Sequence, residues 1–303
     1  MEKVNTMSLI KELRERTDAP FIECKKALES SGWNIDKAID WLQNNGKVKA
    51  AKKAGRIAAE GLVSIAKNEK SVVILEINSE TDFVAKNAQF VNLVTKISNI
   101  LLENDFTTND EALKLKNEEG VTVEELTTIA TATIGEKIVF RRANKFNYNP
   151  MTQVAGTYVH TNGRIASIVI LNGKDEEVAK NISMHISAMN PEYTFVTDYP
   201  KDEYEKLKQE FTNELNKSEK DSKKPENIKS MMIQGKIEKE LSKFVLELQE
   251  FVVDSSFKVK KYLESKNSSI VSVVRYEVGE GIEKKENNFV AEVNAQLAEA
   301  TKK

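Results

Sequence analysis

Cysteine is almost absent from this 303-residue sequence, and the one that occurs, Cys24, cannot close an internal disulfide. A reducing compartment is expected, and with it a cytoplasmic location. Histidine is nearly as scarce. His160 and His185 are too few and too far apart in sequence for a histidine-based metal site, and a single thiol forms no thiolate cluster. Long apolar runs are missing too: nothing approaches the ~18 to 20 residues that span a bilayer, so no membrane association is expected. The opening MEKVNTMSLIKELRERTD has neither the apolar centre of a secretory leader nor the Arg/Ser-rich, acid-poor character of a transit peptide. An excess of one charge sign is also lacking. Against 47 acidic residues stand 45 basic ones, a formal net charge of -2, which argues against a general phosphate-backbone binder. No direct nucleic-acid contact is expected. The nucleotide-binding Gly-x4-Gly-Lys-Ser/Thr loop, the Gly-x-Gly-x-x-Gly turn and the Gly-x-Ser-x-Gly elbow do not occur. Carboxylates are abundant, but no pair is singled out for acid–base work. The sequence therefore offers no catalytic residue, no metal site and no cofactor.

With 40% hydrophobic and 30% charged residues, the chain has the composition of a soluble globular protein of two or three packed units. Residues from Thr6 to Gly46 read as three short helices, with apolar stripes at Leu9, Ile10 and Leu13, then at Phe21, Ile22, Cys24, Ala27 and Leu28, then at Ile35, Ala38, Ile39 and Leu42. Asn34 suits an N-cap, and Gly32 and Gly46 sit where helices commonly stop. Cys24 reads as a small buried apolar residue. Trp33 and Trp41, on either side of the third helix start, read as core. The Ala- and Lys-rich run Lys47–Gly61 reads as a helical or flexible connector with a solvated basic face; a role as an RNA-binding segment is the rival reading.

From Gly61 the periodicity changes. LVSIA and SVVILEIN form a hairpin, Asn87–Leu102 is apolar at helical spacing, Val123–Ala132 is a helix and Lys137–Phe146 a strand. The same grammar then recurs: a hairpin of Val154–His160 and Arg164–Leu171, a helix over Glu176–Met189 and a late strand over Ser269–Val278. This pattern predicts an α+β fold with two related core subdomains, each with a small antiparallel sheet. Between Met189 and Ser269 lie two helix-like stretches, Glu203–Leu215 and Glu226–Gln249, joined by NKSEKDSKKP; they predict an inserted helical hairpin. A C-terminal amphipathic helix is expected over Lys285–Ala300. The boundaries follow: a three-helix unit at 1–46, a basic linker at 47–60, core subdomains at 61–150 and 151–278 with the hairpin at about 201–249, and a C-terminal module at 279–303.

One segment departs from the pattern. NSETDFVAKN, Asn78–Asn87, leaves a buried-looking strand and sets Phe83 beside Asp82 just before a helix. Either Thr81 or Asp82 caps that helix while Phe83 packs as a hydrophobic staple, or Phe83 is an exposed contact residue; spacing alone favours the staple.

EINSETDFVAKN, Glu76–Asn87, resembles a signature of the elongation factor Ts family, with Thr81-Asp82-Phe83-Val84 intact. LRERTDAPFIECKKAL, Leu13–Leu28, resembles that family's first signature, including Leu13, Arg14, Thr17 and Cys24-Lys25-Lys26-Ala27-Leu28. The family often has Gly where Asp18 stands and a Met pair where Phe21-Ile22 stands. KAAKKAGRIAAEG, GRI at 163–165, MHISAMNPEY and RYEVGEGIEK are similar to further family segments, so the likeness runs along nearly the whole chain. Gln249-Glu250-Phe251 departs from the usual Gln-Pro-Phe.

The resemblance implies a ubiquitin-associated-like N-terminal bundle, a core of two subdomains, a helical hairpin used for self-association, and a C-terminal module. It implies a non-enzymatic guanine-nucleotide exchange factor whose partner is elongation factor Tu, GDP-bound or nucleotide-free, and a homodimer through the hairpin. Carried over, Thr81, Asp82, Phe83 and Val84 would press on the partner's nucleotide-binding domain near its magnesium and phosphate site. His160 matches a contact residue, and Arg14, Phe21, Ile22 and Lys25 match the N-terminal contact surface. The second core subdomain would reach another domain of the partner. From the residues alone, Phe21 and Ile22 are equally core or contact, Lys25 is a solvated lysine, His160 a loop or strand-end histidine without duty, and His185 a packing or solvated residue. A ubiquitin-associated-type adaptor is the rival suggested by the bundle alone; it leaves the TDFV segment and the core unexplained.

Overall fold

The computed structural model describes residues 6–17 and 19–283; the helix expected over Lys285–Ala300 lies outside them. The three apolar stripes become α1 (Thr6–Thr17), α2 (Phe21–Ser30) and α3 (Ile35–Ala51), which bury Ile10, Leu13, Cys24, Ala27, Leu28, Ala38, Ile39 and Leu42 between them. Asn34 caps α3 by accepting the Lys37 N–H at 2.9 Å, and Gly32 ends α2 with φ at +61°. Burial pushes the Cys24 thiol up to about 11, so it stays protonated and acts as an apolar filler. Trp33 and Trp41 pack, half-buried, against the same core.

Gly46 does not end the third helix. α3 continues to Ala51, and a β-carbon at position 46 would stand 3.3 Å from Thr128 Cγ2 on α7 (Val123–Ile134). The glycine is there because α3 lies hard against α7, and this packing supports a residue that weakens a helix in isolation. The rest of the connector is pinned as well, since Lys137 Nζ donates to the carbonyls of Ala54 at 2.6 Å and Arg56 at 2.9 Å.

Each core subdomain is a three-stranded antiparallel sheet with its second strand in the middle. The first contains β1 (Glu60–Lys67), β2 (Ser71–Ser79) and β3 (Val139–Asn147); the second contains β4 (Gln153–Val159), β5 (Ile165–Asn172) and β6 (Ser269–Glu277). Both sheets even carry a register irregularity between the central and last strands, at Glu76/Ile77 and at Ile170/Leu171. Between β2 and β3 come the single turn α4 (Asp82–Ala85), then α5 (Ala88–Glu103), α6 (Asn109–Lys114) and α7; α8 (Glu176–Met189) follows β5.

Alternation along the central strands explains their unbroken apolar sequence. Val72 and Ile74 of β2 face Ile168 and Ile170 of β5 in a core between the two sheets, while Val73, Leu75 and Ile77 face α5 and α7. On β5, Val169 and Leu171 face α8. The result is helix on sheet on sheet on helix, with the central strands buried on both faces. Buried side chains of this kind contribute about 1.5–3 kcal/mol each before entropy is subtracted.

The hairpin consists of α9 (Lys201–Lys217) and α10 (Glu226–Leu241), followed later by α11 (Val259–Ser265). The second helix stops at Leu241, short of the expected Gln249. Beyond Leu241 the chain is claimed by another partner: the Phe244 carbonyl accepts from Glu192 N at 2.8 Å and Tyr193 N at 3.1 Å, and Leu246 N donates to the Tyr193 carbonyl at 2.9 Å. Val245, Leu246 and Leu248 are buried by this turn.

Glu76 links the two sheets. Fully buried on β2, it accepts from Arg141 Nη1 at 2.8 Å, Arg142 Nε at 2.7 Å, Asn78 Nδ2 at 3.0 Å and the Gly279 N–H at 2.8 Å, the last from the turn after β6. Burial alone would raise its pKa, but the bonds from Gly279, Asn78, Arg141 and Arg142 together hold the carboxyl below the usual glutamate range.

Candidate functional site

The chain leaves β2 at Ser79 and turns a corner that is bonded at every residue. Ser79 Oγ donates to the Thr81 carbonyl at 2.9 Å. The Glu80 carboxylate accepts the Lys137 N–H at 2.6 Å and pairs with Arg56 at 3.2 Å. Thr81 gives both its N–H, at 2.9 Å, and its hydroxyl, at 2.7 Å, to the carboxylate of Glu136, just after α7, and its oxygen accepts the Val84 N–H at 3.4 Å. These charge-assisted bonds are stronger than neutral ones and fix the start of α4. The single turn then buries Val84 and Ala85 and turns its opposite side outward, so Phe83 is 80% exposed. The capping half of the staple reading holds at Thr81, and the packing half does not: Phe83 staples nothing. Asp82 bonds Lys86 Nζ at 2.9 Å; that ammonium, with a smaller contribution from Arg164, holds its carboxyl below the usual range.

Arg164 belongs to the β4–β5 turn, which the fold brings beside this corner. It ion-pairs with Glu60 of β1, and the Gly163 carbonyl accepts the Val63 N–H at 2.9 Å. Gly163 has φ at +66°, the left-handed conformation that favours glycine, and a β-carbon there would meet only the movable end of the Leu62 side chain. His160 opens the turn, exposed, with Nδ1 3.1 Å from Asn162 Oδ1, which also accepts the Arg164 N–H at 3.0 Å. His160, without a role when read from the residues alone, is thus held on a structured surface next to the exposed phenylalanine's corner.

The remaining sequence-selected residues lie on the N-terminal bundle. Ile22 is 64% and Phe21 40% exposed, so both stand outside the bundle core. Arg14 is exposed, as is Lys25, whose Nζ lies 3.8 Å from Glu29. Arg14, Phe21, Lys11 and Met7 line a shallow depression of about 440 Å³.

A family model described as Elongation factor TS matches residues 80–280 of the chain. Elongation factor Ts of Mycoplasmopsis pulmonis is 52% identical over 297 residues, covering 98% of this chain and 99% of that protein. Elongation factor Ts of Mesomycoplasma hyopneumoniae (strain J) is 49% identical over the full length of both chains, and that of Acholeplasma laidlawii is 44% identical over 96% of this chain and 98% of its own. The chain belongs to the elongation factor Ts family. Its work therefore lies in translation elongation.

For an elongation factor Ts, the structure shows which signature residues build and which present. In the first signature Leu13, Thr17, Cys24, Ala27 and Leu28 are buried, and Arg14, Phe21, Ile22 and Lys25 point out. In the second, Thr81 and Val84 anchor while Phe83 projects. Among the described residues no helix is long and apolar enough to cross a membrane.

Among the exposed apolar residues that escaped the sequence reading are Met7 and the pair Val252–Val253. Met7, 62% exposed, precedes the buried stripe of α1 and lies off its period, which is the signal that marks it. Val252 and Val253, 49% and 48% exposed, stand with Phe257 in the turn after Gln249. There the signal was an apolar pair abutting the turn-forming Asp254-Ser255-Ser256.

The Glu136 bonds give a direct test of the corner's rigidity. In Glu136→Ala, the amides of Thr81–Ala85 are expected to exchange with deuterium at least about tenfold faster, the equivalent of one charge-assisted bond. Unchanged protection would mean that the corner is held by other contacts.

Proposed function

We propose that this elongation factor Ts is a guanine-nucleotide exchange factor for elongation factor Tu, binding both its GDP-bound and its nucleotide-free form and breaking no covalent bond. One observation carries the reading: a large aromatic side chain, Phe83, is left in water on a turn that is otherwise rigid. Leaving such a residue exposed forgoes roughly 1.5–3 kcal/mol of burial. Burial against a partner recovers it.

The mechanism is linkage. A protein that binds the nucleotide-free GTPase more tightly than the nucleotide-bound one lowers nucleotide affinity by the same factor. Phe83 inserts between helices of the partner's nucleotide-binding domain, with Asp82 beside it, Val84 behind it and Thr81 fixing the angle of approach. Displacing the magnesium ligands there removes the cation that neutralises the phosphates, and GDP leaves faster. His160 extends the contact from the neighbouring turn. Arg14, Phe21, Ile22 and Lys25, joined by Met7, hold the same domain from the bundle, and Val252, Val253 and Phe257 serve the second core subdomain's contact with another domain. No cofactor, nucleic acid or membrane enters this scheme.

The test is release of a fluorescent GDP from the same organism's elongation factor Tu, followed by stopped flow with and without this protein. Acceleration that saturates with protein concentration supports the proposal; an unaltered rate refutes it. Self-association through α9 and α10, where Met231 stays exposed, is a separate expectation that sedimentation of the purified chain decides.

A further inference from the structure

His185 is the histidine for which translation exchange supplies no role. It lies fully buried on α8, and both ring nitrogens are spent on one distant loop. Nδ1 accepts the Val252 N–H at 3.1 Å, which leaves the ring proton on Nε2, 3.0 Å from Gln249 Oε1. The ring lies 5.8 Å from that of Phe251, which stacks on Tyr262 at 4.2 Å. The loop is closed by Phe251 N to the Phe257 carbonyl at 2.8 Å and Val259 N to the Gln249 carbonyl at 3.0 Å. Asp254 Oδ1 takes the Ser256 N–H at 3.0 Å and its hydroxyl at 2.6 Å.

In this loop Gln249 and Phe251 go in, and Val252, Val253 and Phe257 go out. The Gln249-Glu250-Phe251 departure is absorbed in the same way: Glu250 is exposed, and its buried neighbours make the anchoring contacts. The bond at Val252 ties α8 directly to the backbone beneath the exposed valine pair.

We propose that His185 is a positioning residue, which sets the height and angle at which Val252 and Val253 meet the GTPase. The inference rests on the proposed exchange function and on the contact assigned to this loop. Loss of the Nδ1 acceptor frees the Val252 N–H beneath the valine pair while the loop stays closed by the Phe251–Phe257 and Val259–Gln249 backbone bonds, so the expected effect is a displaced pair on an otherwise folded loop.

Two amide replacements separate positioning from packing. His185→Asn is smaller than the parent residue but keeps an acceptor near the Nδ1 position, whereas His185→Gln keeps a donor near the Nε2 position and withdraws the acceptor. GDP release from elongation factor Tu is measured against factor concentration for both, alongside Val252→Ser/Val253→Ser. His185→Gln and the valine variant are expected to raise the half-saturating concentration about five- to tenfold, the scale of one hydrogen bond, with the maximal rate unchanged. His185→Asn stays within about twofold of the parent on the same scale. Equal shifts for the two amide variants, or a shift that follows the loss of melting temperature, would make His185 a packing residue and overturn the proposal. A shift in the valine variant without one in His185→Gln overturns it too. No shift in the valine variant removes the loop contact itself, and no acceleration by the parent protein removes the exchange function.

Discussion

Replacing Phe83 with alanine is expected to slow stimulated GDP release by about 10- to 100-fold while leaving the protein as stable as before. Both halves follow from its 80% exposure. An exposed side chain contributes little to folding, and surface changes of this kind usually fall within about 0.5 kcal/mol. The same side chain, buried at the centre of an interface, has the character of a contact whose truncation costs about 2 kcal/mol or more. Phe83→Leu, which keeps apolar bulk and loses the flat ring, should fall between the two. Stopped-flow release with fluorescent GDP measures the rate, and thermal unfolding confirms the fold. A rate equal to the parent's would take Phe83 out of the mechanism, whatever the fate of the exchange function. Because Thr81, Glu80 and Glu136 hold the backbone, the substitution should leave the position of the corner unaltered, so the deficit reports the ring itself.

The largest loss of stability is expected at Glu76. Glu76→Ala removes the acceptor for Arg141, Arg142, Asn78 and the Gly279 N–H together. Removing one partner of a buried ion pair typically costs about 3–5 kcal/mol, because the opposite charge stays behind. Arg141 and Arg142 are only about a quarter exposed, at 23% and 25%, so solvent can rescue them in part, and the lower end of that range is expected. Urea unfolding at neutral pH checks it; a loss below about 1 kcal/mol would mean that the node is dispensable. The pH dependence has a definite sign. The folded carboxyl titrates below the ordinary glutamate value of about 4.3, so the unfolded chain binds the proton first as acid is added. Stability from Glu76 is complete above that value and is lost as pH falls through the folded-state pKa. The gap between parent and Glu76→Gln should therefore narrow as the pH is lowered from about 5 towards about 3.

His185 shows the same logic nearer neutrality. Burial lowers its pKa below the usual 6.5, against a smaller opposing effect of the Gln249 bond. Its contribution is complete above the unfolded value and declines as the pH falls below it, so measurements of the loop contact belong at about pH 7 or higher.

Much of this architecture was legible in the sequence because its signals are local. An N-cap such as Asn34, the helical period of Asn87–Leu102 and the doubly apolar SVVILEIN each depend on residues within a turn or a strand. The family signatures likewise marked the corner at Thr81–Val84. What remained undecided lay in long-range contacts. Gly46 carries the local mark of a helix end, yet α7 packs against it and α3 runs on. The period of α10 continues past Leu241, but Glu192 and Tyr193 draw the chain away. Phe83 fits a staple by spacing, and only the folded turn shows that Val84 and Ala85 take the interior instead. Glu76 meets Gly279 from 203 residues away, a pairing that no pattern around either residue could announce. Propensity and periodicity fix which segments form helices and strands. Which face is covered, and which aromatic is left in water, depends on the tertiary neighbours that compete for each surface.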